Sequence, residues 1–164
     1  MALLAERHGQ RLKLSRNERS LVDEVKVGGR RLALAFPQTY MNDSGMSVVK
    51  LVRRFGIDDL SRLVVVQDEL DLPVGVVRVK MGGGTAGHNG LRSIGEHLHD
   101  RGFARVRIGI GKAPGRMTGT DHVLRAPGKA ERDQLDVGVE VAADAVELIL
   151  AEGVDPAMNR FNST

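Results

Sequence analysis

Cysteine and tryptophan are absent from this 164-residue chain, and its aromatic side chains amount to four Phe and one Tyr. Without cysteine there is neither a disulfide framework nor a zinc site built on thiolates, a composition that suits a reducing cytoplasm. So few aromatics argue against a single-strand binder built on stacked ring platforms. No stretch approaches roughly 18 uninterrupted apolar residues, and the N-terminus lacks the basic-then-apolar form of a signal peptide. The chain therefore reads as soluble, with no membrane partner. Excess charge is small as well: the net charge is +3 and the pI about 9.6. That hints only weakly at a polyanion, and the placement of basic residues says more than their sum.

What is present is an alternation of strand-like and helix-like patterns. The length suits one domain, residues 1–164, with a core that needs no metal or disulfide. Met1–His8 reads as the last turns of a helix stopped by Gly9, with no N-cap of its own. Residues 10–18 are basic and polar, a loop or irregular strand. Leu21–Val27 and Arg30–Phe36 alternate around Gly28-Gly29, a hairpin signal, and Pro37 ends the second strand. Ser44 is a fair N-cap for a helix to about Phe55, closed by Gly56. Leu63–Val66 is a continuous apolar run of the kind found in a strand covered on both faces. Val74–Met81 and Phe103–Ile110 are further strands, and Gly109–Gly115 is a glycine-rich turn. Helices are expected over Gly90–Leu98, capped by Asn89, and over Lys129–Leu150, with a last turn started by Asp155-Pro156. Interleaved strands and helices predict an α/β fold: a single three-layer domain with a twisted mixed β-sheet flanked by helices. Sites in such sheets gather at the carboxyl ends of strands, here after Phe36 and after Val66.

Most of the candidate chemistry falls in one stretch, VVVQDELDLPVGVVRVKMGGGTAGHNGLRS (Val64–Ser93). Asp68 follows the apolar run. A carboxylate there can accept the Nδ1–H of a histidine and favour the imidazolium that forms when Nε2 takes a proton. The alternative is an acid capping a turn. Asn42 and Asn89 lie in two glycine-associated loops, where an amide can orient a water or hold a carbonyl or ribose hydroxyl. Asx-turn or N-cap duty is the competing role. The glycines at 82–84 match neither a dinucleotide fingerprint nor a P-loop. Arg78, Lys80, Arg105 and Arg107 stand at i, i+2 spacing on two predicted strands, a possible basic strip for phosphates or simply a solvated sheet face. His97-Leu-His99 has no third ligand at a metal-like spacing, so no metal is expected. Asn42-Asp43-Ser44-Gly45 lacks the nucleophile-elbow pattern, which excludes the usual serine hydrolase. His88 is the histidine best placed for a site, with a packed structural role as the plainer reading.

Four segments together resemble bacterial peptidyl-tRNA hydrolase: FPQTYMNDSG (Phe36–Gly45), the Val64–Ser93 stretch, RVRIGIGKAPG (Arg105–Gly115) and AMNRFN (Ala157–Asn162). The likeness runs along essentially the whole chain. It implies a mixed α/β fold and a metal-free, cofactor-free esterase. Such an enzyme, a cytoplasmic monomer, cleaves the ester between a peptide and the 3′-terminal ribose of tRNA. Its partner would be peptidyl-tRNA. Carried over by motif, Asp68 would orient the catalytic histidine. Asn89 would bind substrate and help place the attacking water. Tyr40 and Asn42 would contact the tRNA terminus or the peptide, and Met41 would line the groove. Lys80 and Arg107 would meet tRNA phosphates.

The family's catalytic histidine follows a G-L-G-N-P-G loop and lies in a T-R-H-N-type segment, and neither motif occurs in this sequence. Met1–His8 matches the helix that comes after them. Gln67 stands where His or Tyr is common, and Thr85-Ala86 departs from the glycine loop. Three expectations follow: an N-terminally truncated form of a normal enzyme, impaired for want of its base; a non-catalytic paralogue that binds tRNA ends; or a chain in which His88 substitutes.

Overall fold

A computed structural model describes residues 1–112 and 128–163. Their contacts divide them into two compact units, Met1–Leu63 with Met81–Ala104, and Val64–Lys80 with Arg105–Thr164. The class is mixed α/β, and the strands fall into two three-stranded sheets.

The first unit is built on a meander of β1 (Lys13–Ser15), β2 (Ser20–Val27) and β3 (Arg30–Pro37), antiparallel in the order β1-β2-β3. Its hairpin turns on Gly28 and Gly29, whose φ values of 57° and 80° need residues without a Cβ. Register runs from Val27 opposite Arg30 to Ser20 opposite Pro37. Pro37 can occupy that last position because β3 is an edge strand. Helix α1 (Ala2–Arg7) buries Leu4 and Ala5, and Gly9 follows it at φ 71°. Helices α2 (Ser44–Arg54) and α3 (Asn89–Leu98) pack on each other and bury Val48, Leu51, Leu91 and Ile94. At the far end of α2, Arg54 Nη1 bonds the nearly inaccessible Glu18 carboxylate at 2.5 Å. The Arg54 bond holds that carboxyl below its usual pKa against the opposing effect of burial.

The second unit centres on β4 (Val64–Glu69), β5 (Val77–Met81) and β6 (Ala104–Gly109), in the order β4-β6-β5. Leu63 C=O accepts from Ala104 N–H (2.9 Å) and Glu69 C=O from Ile110 N–H (3.0 Å), so β4 and β6 run parallel. Gly75 N–H donates to Gly109 C=O (2.9 Å) and Gly82 N–H to Phe103 C=O (3.0 Å), which makes β5 antiparallel to β6. The sheet is thus mixed. Val64, Val65 and Val66 are only half-buried, because β4 lies at the edge of the described sheet. The apolar run alone suggests fuller cover. The strand also extends to Glu69, so Asp68 belongs to its last turn of pleat rather than to the loop after it.

The described helices of this unit are α4 (Lys129–Glu152) and α5 (Val154–Phe161). The buried stripe of α4 is small: Gly138, Ala142, Ala143, Ala145, Val146 and Ile149. Val139 is exposed, and Gly138 takes the inward place. A Cβ at 138 would stand 3.0 Å from Gly75 Cα and O, so the helix approaches the Gly75 backbone too closely for a side chain. Asn162, just after α5, pairs with β5 as a strand would. Its Oδ1 accepts from Val79 N–H and its Nδ2 donates to Val79 C=O, both at 2.8 Å. The end of the predicted glycine-rich turn, residues 113–115, lies outside the described residues.

Candidate functional site

Within the first unit, β3 leads through Tyr40 into a 3-10 turn over Met41–Asp43 and on into α2. Tyr40 N-caps this turn in extended conformation, and Asp43 N–H donates to Tyr40 C=O at 2.9 Å. Ser44, expected as the helix N-cap, is instead the first helical residue. Its Oγ donates to Met41 C=O at 2.9 Å, which ties the turn to the helix. The orphan N–H of Gly45 is satisfied from another helix: Ser93 Oγ on α3 accepts it in a buried bond of 2.9 Å. A Cβ at Gly45 would run into the Ser93 carbonyl, so glycine is what lets α2 and α3 meet there. No local pattern marks Ser93 as the cap of a helix 48 residues away.

That helix contact carries the candidate residues with it. Met41 packs on the first turn of α3, where a Cβ at Gly90 would stand 2.7 Å from Met41 Sδ and 3.0 Å from His88 Cε1. Asn42 and Asn89 therefore flank one Met41–Gly90 contact, and both are exposed. Tyr40 is 83% and Met41 50% exposed, large side chains left open at the same place. Asn89 was expected to cap α3. His88 does so, its Nδ1 accepting from Leu91 N–H at 3.2 Å, and this requires the neutral ring with its proton on Nε2. Asn89, released from capping, is the first helical residue, and its Oδ1 accepts from Arg92 Nη2 at 2.7 Å.

Asp68, Lys80 and Arg107 belong to the second unit. Asp68 is half-buried beside Gln67, whose side chain is 8% exposed and whose Oε1 has no hydrogen-bond partner. Glu69 Oε1 lies 3.6 Å from Arg107 Nη1, a loose ion pair on two largely covered side chains. The four-residue basic strip is not an open face. Arg105 is 2% exposed, and Arg78 Nη1 donates to the carbonyls of Val77 (2.9 Å) and Phe161 (3.3 Å). Lys80 is exposed and Arg107 partly so, and these two are the members the resemblance singles out.

His97 Nδ1 faces Ser93 C=O at 2.8 Å, and His99 closes α3 in left-handed conformation at φ 56°. Among the described residues no three His, Cys, Asp or Glu side chains converge as metal ligands. No described helix is long and apolar enough to cross a membrane. A groove of about 410 Å³ lined by Lys13, Val22, Asp23, Glu24, Arg54 and Phe55, among others, includes none of the candidate residues.

A family model described as peptidyl-tRNA hydrolase matches residues 1–164. The chain is 50% identical over 161 residues to the peptidyl-tRNA hydrolase of Frankia casuarinae, an alignment covering 98% of this chain and 81% of that protein. It is 45% identical to the Rhodococcus erythropolis enzyme of the same name, over 97% of this chain and 83% of the relative. The crystal structure of peptidyl-tRNA hydrolase from Acinetobacter baumannii superposes with a TM-score of 0.90 at 35% identity, covering 98% of this chain and 81% of that one.

Proposed function

The chain belongs to the peptidyl-tRNA hydrolase family, and on that premise we propose how its residues serve hydrolysis of the ester between peptide and tRNA. The observation that supports the reading is the Met41–Gly90 contact, which brings the turn bearing Tyr40 and Asn42 against the first turn of α3 that bears Asn89, all three exposed. Tyr40 and Met41 offer an apolar wall for the peptide or terminal base. Asn42 and Asn89 offer amide groups for the ribose, the ester carbonyl and the attacking water. Asp68 accepts the Nδ1–H of a histidine base and stabilises the imidazolium as water attacks the ester. Lys80 and Arg107 meet tRNA phosphates. The step uses no metal or cofactor, and the protein acts as a cytoplasmic monomer.

Single-turnover release of peptide from peptidyl-tRNA tests the assignment. Asp68→Asn should slow release by about a hundredfold or more, whereas the same change at Asp71, exposed just beyond β4, should alter it by less than about twofold. Equal effects would sink the role given to Asp68.

A second reading, a non-catalytic module that binds tRNA ends, is favoured by one observation. His88 Nδ1 is occupied as the acceptor that caps α3, so in this state it has no Nδ1–H to give a carboxylate. On this second reading the protein binds a tRNA end and does not cleave the ester. Salt-sensitive tRNA binding without ester cleavage is the expected result. Full-rate ester hydrolysis would overturn it.

A further inference from the structure

Arg92 sits one turn into α3 from Asn89, and its Nη2 lies 2.7 Å from Asn89 Oδ1. An asparagine amide offers a donor at one end and an acceptor at the other, and its neighbours decide which end faces which way. Arginine carries only donors, so the atom facing it must be the oxygen. The Asn89 NH2 is then the end left for other partners. Both side chains are exposed, and Asn89 has no capping duty to hold it, because His88 caps the helix. The guanidinium bond is charge-assisted, and its planar donor makes it directional as well as attractive.

We propose that Arg92 is a positioning residue, holding Asn89 so that it donates through Nδ2 to an oxygen of the peptidyl-tRNA end. The proposal rests on the reading above that Asn89 meets the substrate. It narrows what that amide does there: its partner is an acceptor, such as the ester carbonyl, the ribose oxygen or the oxygen of the attacking water. A bare helix-stabilising i, i+3 pair would leave substrate recognition untouched. A phosphate-seeking arginine would act without Asn89.

Binding to tRNA carrying a non-hydrolysable amide-linked peptide at its 3′ end separates these cases, and it needs no catalytic base. Asn89→Ala should weaken binding, and Arg92→Ala should weaken it roughly three- to tenfold. In the Asn89→Ala background the Arg92→Ala change should add less than about twofold. Arg92→Lys, which keeps a cationic donor on a long stem, should recover most of the loss. If Asn89→Ala has no effect, the site reading itself fails. If Asn89→Ala weakens binding and Arg92→Ala does not, or if Arg92→Ala costs as much without Asn89 as with it, the positioning role is overturned. Thermal unfolding of each variant should stay within a few degrees of the parent, and a large fall confined to Arg92→Ala would instead mark it as a structural residue.

Discussion

Replacing Gly45 by alanine sets two physical effects against each other at the place where α2 and α3 meet. Helix propensity alone favours the change by up to about 1 kcal/mol, since alanine is the better helix former. The structure predicts the opposite sign. The new Cβ would press into the Ser93 carbonyl oxygen and stand 2.7 Å from its carbon, where ordinary contact begins near 3.4 Å. The obstacle is backbone, so relief requires the two helices to part. Overpacking of this kind costs about 1–3 kcal/mol. Parting also strains the buried Gly45 N–H···Ser93 Oγ bond of 2.9 Å, whose loss costs about 1–3 kcal/mol more. After the propensity gain is subtracted, Gly45→Ala should destabilise by about 1–5 kcal/mol. Urea denaturation followed by far-UV circular dichroism should show the midpoint falling by roughly 1–2 M. Tyr40–Asn42 and Asn89 are carried by these two helices, so affinity for a tRNA end should fall with it. Gly95→Ala is the internal control. The atoms nearest its Cβ would belong to the Arg101 side chain, Cγ at 3.1 Å, rather than to backbone. A flexible stem can yield, and this variant should be neutral or stabilised. A Gly45→Ala protein as stable as its parent would refute the packing argument.

The Glu18–Arg54 pair predicts an acid-dependent loss of stability. The Glu18 pKa is lowered in the fold, chiefly by the Arg54 bond, so its contribution is present above the unfolded value and lost as pH falls through the folded one. Arg54→Ala should therefore destabilise at pH 7 and converge on the parent as the pH drops below about 4, and a difference that stays constant from pH 7 to 3 would refute the linkage. Glu69 lies 3.6 Å from Arg107 and competes with a phosphate for it. Glu69→Gln should tighten tRNA binding by about two- to fivefold at low salt, measured by fluorescence anisotropy, and weaker binding would count against Arg107 as a phosphate contact.

Much of the first unit is legible from local pattern. The Gly28-Gly29 turn, the alternation on either side of it and Pro37 at its end depend on backbone preferences of neighbouring residues, and the hairpin appears where they put it. Helices α3 and α4 lie within one or two residues of where the sequence pattern puts them, for the same reason. The cap of α3 lies one residue before the expected one, because His88 and Asn89 can both accept a backbone N–H and only the folded geometry shows that His88 does.

The sequence by itself determined the family, through motifs whose residue types are too specific to arise from composition, and with the family the candidate side chains. Tertiary structure alone decided what those side chains are free to do. Arg105 is interchangeable with Lys80 on a strand pattern, yet one is buried and the other exposed. Ser93 reads as an ordinary helical serine but caps a second helix, and Asn162 reads as a tail residue but completes a sheet edge. In each case the deciding partner is distant in the chain, and no local propensity encodes it. The same holds for the stretch from Val64 to Ser93: its residues were readable from the sequence, but the direction in which Asn89 presents its amide depends on how Arg92 reaches it in the folded helix.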